Sequence, residues 1–392
     1  MIQSQQVKAI ARHLLYWMLK ANFRGWDPHD GLNSPLLTPL SRLHPYLGIV
    51  VLQLIKRSPL NLRPLLGVQK TVNAKALGLI ISGLILQCHL QGEYLSLSLE
   101  LARTLASWLE KLVTPGFHGA CWGYPFDWPN RAFFAPQGMP TIVNTAFIGH
   151  AMCDLFEKTG EGRWLDLANS ACVFISRDLN RTTGKEGFSF SYTPLDRSCV
   201  HNANLLGASL MARVGNSCGK TDYIDLARES VSYSIAYQRQ DGSWPYGEAA
   251  NQGWVDSFHT TYNLLALHQI NAVTLEIQGV TTLDKGYQYY LEHFFTEDGL
   301  VKFYDNRQSP LDAHAFATAI LCLSQLSEHP ATPADLSTRI LENMISLFWS
   351  GQGYFFYQRH NGLVYSLPCL RWVQAWVFLA IESYQNAQGA RS

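Results

Sequence analysis

The stretch Gln240–Asn263, QDGSWPYGEAANQGWVDSFHTTYN, decides how the chain folds. Asp241-Gly242 is a turn signal placed directly after an apolar-periodic segment. Trp244 and Tyr246 follow at alternate positions, and a polar loop leads to Trp254, Val255 and Asp256. From Asp256 the spacing becomes helical, with Tyr262, Leu265, Ala266 and Leu267 on one apolar stripe. Asp256 suits an N-cap, because a short carboxylate accepts hydrogen bonds from the unpaired N–H groups of a first helical turn. His259 sits one turn further in. Aromatic rings, a carboxylate and an imidazole therefore meet where a helix begins.

Four more stretches share this design. GACWGYPFDW from Gly119 leads to Asn144, and GFSFSYT from Gly187 leads to His201-Asn202. DGLVKFYD from Asp298 leads to Asp312 and His314, and GQGYFFYQ from Gly351 leads to Arg371-Trp372. A recurrence of about 55 to 65 residues fits one helical hairpin and one loop per repeat. The intervening spacing predicts six mostly apolar helices, starting near Asn73, Asn144, His201, Asp256, Asp312 and Arg371. Six amphipathic helices alternate with them, starting near Val7, Glu93, Glu161, Thr221, Leu283 and Pro333. A helix apolar on all sides is buried, and one with a single apolar stripe lies outside. The expected fold is all-α: an (α/α)6 toroid of six parallel inner helices and six outer helices running back. The aromatic-rich loops then gather at one end with the inner-helix N-termini, where the pocket is expected.

The whole chain, 1–392, reads as one toroid domain, since no linker or compositional shift divides it. Residues 7–72 form the first outer helix and an irregular region that includes WDPHDGLNSPLL and a helix over 41–56. Residues 73–385 form the alternating set. Apolar content of 47% supplies a large core, and a formal net charge of zero leaves no electrostatic footprint for nucleic acid. Eight cysteines without CxxC spacing read as buried free thiols of a reducing compartment. Lys8, Arg12, His13 and Lys20 interrupt the apolar N-terminus, so no signal peptide is expected. The longest apolar runs, 46–55 and 76–86, are too short to cross a bilayer. A soluble cytoplasmic protein is expected, with at most peripheral contact with membrane-bound biosynthetic machinery. No phosphate loop, nucleophile elbow, cofactor fingerprint or metal-type His spacing is present, so neither cofactor nor metal is expected.

The hairpin pattern resembles the six-hairpin glycosidase and terpenoid-cyclase toroid superfamilies. QRQDGSW at 238–244 resembles the QW-type repeat of squalene cyclases and prenyltransferases. DGLNSPL, NLRPLLG, CWGYPFDW, HNANLLGASL and WVDSFHTTYNLLAL together resemble a family encoded in bacterial exopolysaccharide clusters and labelled VpsJ-like or prenyltransferase-like. The resemblance spans nearly the whole chain and implies the toroid fold and a role in polysaccharide biosynthesis. Arg371-Trp372 resembles, over two residues, glucuronyl C5-epimerases and N-acylglucosamine 2-epimerases. The DxDD and DDxxD motifs of terpenoid cyclases and synthases are absent, as are the zinc element of protein prenyltransferases and the WCYG and CHG motifs of lanthionine cyclases.

Asp256, His259, Asp312, His314 and His201 fall at the loop end and are the candidate catalytic residues. Carboxylates and imidazoles facing across a sugar supply general acid–base chemistry, and Asp256 with His259 beside it leads the set. As plain structure, Asp256 and Asp312 serve as N-caps. Trp122, Tyr124, Trp128, Trp244, Tyr246, Trp254, Tyr304, Tyr357 and Trp372 alternate in loops, as rings stacking on a sugar's C–H face would. The same rings can instead seal the toroid mouth. Asp127, Asn144 and Asn202 suit sugar hydroxyls, and Arg371 suits a uronate, a phosphate or an ion pair with a pocket acid. These residues point first to a carbohydrate-active protein acting on a polysaccharide or lipid-linked oligosaccharide, as hydrolase, lyase or epimerase. A non-catalytic glycan-binding or assembly factor is the second reading. An isoprenoid-binding, cyclase-like protein is the third.

Overall fold

The computed structural model describes residues 3–37, 45–88, 95–129, 134–274 and 277–391. The first outer helix, α1 (Ser4–Lys20), buries Val7, Ile10, Ala11, Leu14 and Met18 and turns Lys8, Arg12 and Lys20 outward together with Tyr16 and Leu19. That spacing is one apolar stripe, so packing and not propensity holds the helix in place. The remaining outer helices repeat the plan: α4 (Leu95–Lys111), α6 (Gly162–Asp178), α8 (Thr221–Ala236), α10 (Ile277–His293) and α12 (Leu336–Phe348). The inner helices are α3 (Ala74–Gln87), α5 (Ile142–Thr159), α7 (His201–Cys218), α9 (Ser257–Thr274) and α11 (Ala313–Gln325). The sixth, α13 (Ala375–Arg391), is entered through a π turn, Leu370–Gln374. In α7 nearly every side chain from His201 to Gly215 is buried.

Each inner helix packs on the next, and α13 packs on α3, so the ring closes. Every inner helix also packs on its outer partner. Glycines let inner helices approach closely: a Cβ at Gly83 would meet the Phe378 ring at 2.7 Å, and one at Gly149 would meet Leu210 at 2.4 Å. The toroid is the architecture read from the sequence. The two helix starts read near Ser41 and Glu93 lie outside the described residues, which resume at Pro45 in α2 (Pro45–Lys56) and at Leu95 in α4. Short turns join inner to outer helices at one end, as at Gly160, a left-handed C-cap. All eight cysteines are free. Among the described residues no helix is long and apolar enough to cross a membrane.

The segment between α1 and α3 is an excursion with its base clipped shut. Strand β1 (Arg24–Gly25) pairs antiparallel with β2 (Thr71–Val72). Inside the excursion Arg63 Nε donates to Asp30 at 2.6 Å, and its Nη2 donates to the Asp27 carbonyl at 2.7 Å. Trp26 forms a parallel bridge with Cys369, just before the last inner helix. The excursion is thereby fastened over the end of the toroid where the inner helices begin.

Candidate active site

Asp256 caps α9, as its position predicts: Oδ1 accepts from the His259 backbone N–H at 3.0 Å. Its Oδ2 accepts from His259 Nδ1 at 2.7 Å and from the Trp254 indole N–H at 2.9 Å. Both oxygens are thus occupied, and the Asp256 side chain is 2% exposed against 21% for His259. Asp256 is the buried member of the pair and holds the imidazole, and His259 is the more exposed one. With Nδ1 held by the carboxylate, Nε2 is the ring nitrogen left to exchange a proton. Tyr246 and Phe258 flank the imidazole at 4.6 and 4.1 Å between centroids, and Trp254 stacks on Tyr246 at 4.6 Å.

His314 and Asp312 continue the wall. Asp312 caps α11 through the His314 N–H at 2.9 Å, and also accepts from Gln358 Nε2 at 3.0 Å and Trp372 Nε1 at 3.3 Å. It is fully buried, which pushes its carboxyl up to about 6 against the pull of the His314 N–H and Lys56. Asp312, expected as a catalytic carboxylate, is a buried cap that also fixes the indole of Trp372. His314 Nε2 meets the Tyr262 hydroxyl at 2.7 Å, and burial holds the imidazole neutral, well below its usual range. Its Nδ1 is buried without a hydrogen-bond partner. Phe258, Trp372 and Trp376 surround His314 at 5.0, 4.5 and 5.0 Å.

Arg371 turns out to be committed. Its Nε and Nη2 donate to the two oxygens of Asp27 at 2.6 and 2.8 Å, a buried bidentate pair between the excursion and the last inner helix. The guanidinium holds Asp27 well below the usual carboxylate range despite its burial. Above it, Tyr124 lies 5.0 Å from the Arg371 guanidinium carbon and Trp128 meets Tyr124 edge-on at 5.1 Å. His29 packs on Trp372 and Trp128 at 5.5 and 6.2 Å, and its Nε2 meets Lys56 Nζ at 3.1 Å. Burial and the nearby Lys56 ammonium bring His29 down to about 3.

Contacts therefore join Tyr246, Trp254, Asp256, His259, His314, Asp312, Trp372, Arg371, Tyr124 and Trp128 into one cluster. Other expected residues stand apart. His201 Nε2 binds Glu248 at 2.6 Å and its ring faces Tyr237 and Tyr233, so its side chain turns from the cluster into the helix–helix layer. Trp122 is fully buried with its indole N–H on the Leu109 carbonyl, and Trp244 is bound likewise to Ser234. Both are core rings rather than sugar platforms, because their loops dip between helices before reaching the mouth. Asp127 accepts the Gln137 N–H in its own loop at 2.7 Å. Tyr304 is half-buried with the Arg307 guanidinium carbon 4.2 Å from its ring, and bridges to Asp256 through the backbone. Tyr357 is buried, and its carbonyl accepts the Ala313 N–H. Asn144 has both amide atoms buried without partners, as Asn202 has its Oδ1.

Asp27, His29 and Lys56 pack against the cluster and were not among the expected residues. Only the first two carried a signal: WDPHD concentrates acid and imidazole in a turn-rich segment. Among the described residues no group of three His, Cys, Asp or Glu side chains is spaced to hold a metal ion.

No protein-family model matches the chain, and no curated protein matches it. Its structure is similar to that of a sugar epimerase from a ruminal bacterium, at 13% identity and a TM-score of 0.61, over 82% of this chain and 90% of that one. It is similar to cellobiose 2-epimerase from Spirochaeta thermophila, at 10% identity and a TM-score of 0.63, over 82% and 87%. A family 76 glycoside hydrolase (mannosidase) from Bacteroides thetaiotaomicron matches at 11% identity and a TM-score of 0.59, over 81% and 88%. At these identities the likeness is one of fold.

Proposed function

We propose that this protein is a carbohydrate-active enzyme that moves a proton on a sugar, as an epimerase or isomerase does. His259 takes and returns the proton, and Asp256 holds its tautomer. The observation that carries this reading is the Trp254–Asp256–His259 chain, in which the carboxylate is buried and the imidazole it holds is partly exposed. A carboxylate that orients an imidazole through Nδ1 leaves Nε2 poised for general acid–base work. His314 supplies a second, neutral imidazole on the neighbouring inner helix. Two-carboxylate glycosidase chemistry fits less well, because Asp256 and Asp312 are both buried caps. The isoprenoid reading needs a dry apolar cavity, whereas the inner-helix starts hold orphan polar atoms at Asn73, Asn144, Asn202 and His314.

The sequence resemblance supports a setting in cytoplasmic bacterial polysaccharide biosynthesis, with a polysaccharide or lipid-linked oligosaccharide as the substrate. The similar structures titled as sugar and cellobiose epimerases agree with a sugar substrate. To test the reading, purified protein is incubated in deuterated water with a panel of reducing sugars, uronates and the polymer of its own gene neighbourhood. Deuterium uptake at a sugar carbon is expected. Saturable binding with no uptake, shortening or unsaturation would leave a glycan-binding protein instead.

A further inference from the structure

Lys75 is the second residue of the first inner helix, its backbone N–H capped by Asn73. Its side chain is buried, 3% exposed as a residue, yet it makes no hydrogen bond or ion pair among the described residues. Three rings surround it instead: Nζ lies 4.3 Å from the centroid of Phe147, 5.3 Å from Tyr262 and 5.4 Å from Trp376. Leu79, Ser82 and Leu86 follow Lys75 at intervals of four, three and four, which is one helix face. Those three, with Phe147 and Tyr262, line a pocket of about 250 Å³ that opens toward Glu157 and Gln325 at the far ends of the inner helices; Lys75 lies outside it, beyond the Phe147 and Tyr262 rings. Lys75 thus stands on the axis-facing stripe, at the end where the inner helices begin. The order of packing around the ring sets α3 opposite α9, the helix that carries His259.

A buried amine with no carboxylate needs a reason, because leaving an ammonium unpaired in the interior costs several kcal/mol, on the order of what a broken buried ion pair costs. Burial, and then Arg371, push its amine well below the usual ammonium range, with Asp27 opposing. The positive end of the α3 dipole acts in the same direction. The aromatic faces favour the cation, but burial is the larger effect. The nearby imidazole of His314 is neutral. The starts of the inner helices, the end where Lys75 stands, hold buried polar atoms with no partner: Asn73 Nδ2, both amide atoms of Asn144, and His314 Nδ1. They are donors and acceptors suited to hydroxyl groups.

We propose that Lys75 is the amine that captures the open-chain carbonyl of a reducing sugar, so that the enzyme works on a free reducing end. This rests on the carbohydrate reading of the site above. It narrows the substrate class to free sugars and released chains, and away from lipid-linked ones, whose anomeric carbon is blocked. The Nζ lone pair adds to C1, and the carbinolamine loses its oxygen as one water to give the protonated imine. His259 removes the proton on C2, and that bonding pair moves into C1–C2 while the C1–N π pair returns to nitrogen. The proton is then delivered to the opposite face of C2, and one water releases the epimeric aldehyde and the amine. Water leaves once and enters once, and nothing is oxidised.

The experiment treats the whole protein with sodium cyanoborohydride and glucose, mannose or cellobiose near neutral pH, with trehalose as the non-reducing control, and maps modified lysines by peptide mass spectrometry. The mass of one reduced sugar is expected on Lys75, at least about tenfold above any surface lysine, whose ordinary ammonium is almost wholly protonated there. Trehalose gives none. Lys75→Met, checked by its thermal melt, removes that adduct, while the wild-type map stands without any variant. Adducts confined to surface lysines, or no Lys75 adduct across the panel, overturn the proposal. Deuterium uptake at C2 without a Lys75 adduct overturns the amine's role and leaves His259 proton transfer intact. An adduct without uptake does the reverse.

Discussion

Asp256→Asn is the sharpest perturbation of the candidate site, because it changes charge without changing shape. The amide oxygen can keep the cap on the His259 N–H, now accepted at 3.0 Å. The NH2 group then replaces the oxygen that accepts both His259 Nδ1 and Trp254 Nε1. The indole is a donor only and loses its partner, whereas the imidazole can answer by moving its proton to Nε2. His259 would then present a donor where the reaction needs a base. One orphaned donor costs about 1–3 kcal/mol of stability. Loss of the base costs about 10²–10⁴ in rate. The assay is deuterium exchange into whichever sugar the wild-type protein labels, run beside a thermal melt of both proteins. A folded Asp256→Asn protein that exchanges at the wild-type rate would refute the oriented-imidazole reasoning. A variant that does not fold would assign Asp256 to capping alone.

Asp27→Asn leaves the buried Arg371 guanidinium uncompensated and should cost about 3–5 kcal/mol in urea unfolding; pairing it with Arg371→Met should recover part of that loss, and additive losses would show that the pair is not coupled. Burial raises the Asp312 carboxyl to about 6, so its contribution to stability is full below its unfolded value near 3.9 and is lost as pH rises through about 6. Asp312→Asn keeps an acceptor for the His314 N–H and should therefore gain on the wild type by up to about 3 kcal/mol between pH 4 and 7, whereas a pH-independent difference in unfolding midpoint would contradict the buried, charged cap. Trp122→Phe removes the indole hydrogen bond to the Leu109 carbonyl, which keeps the Leu112 N–H, and should lower stability by about 0.5–1.5 kcal/mol with sugar exchange unchanged. A tenfold drop in exchange by a stable variant would return Trp122 to the site.

The inner-helix starts were legible because each is written locally. Asn73 and Asp312 accept the N–H groups that their positions predict, and His201 opens its helix as read. Helical period, turn glycines and capping residues act over a few positions, so a sequence reports them directly. Aromatic alternation in loops was a weaker guide. It marks Tyr246 and Trp254, which stack beside His259, and equally Trp122 and Trp244, whose indoles hydrogen-bond to outer-helix carbonyls inside the core. Alternation gives the side a ring takes within its own loop, and not which loop wall faces the axis.

What the sequence determined by itself is the count and kind of helices, hence the toroid, and the gathering of acids and imidazoles at one end. Apolar period and cap chemistry suffice for that. Which of those groups meets a ligand was decided only by tertiary structure. Exposure separates His259 from Asp256, three residues apart on one turn. Asp27 reaches Arg371 across 344 positions and takes the guanidinium that sequence spacing left open to a substrate anion or an acid of the protein. Lys75 reads as one polar residue at a helix start until closure of the ring sets Phe147, Tyr262 and Trp376 around it. Burial and long-range pairing depend on which distant segments share a few ångströms of space, and that is a property of the closed ring rather than of any stretch of chain.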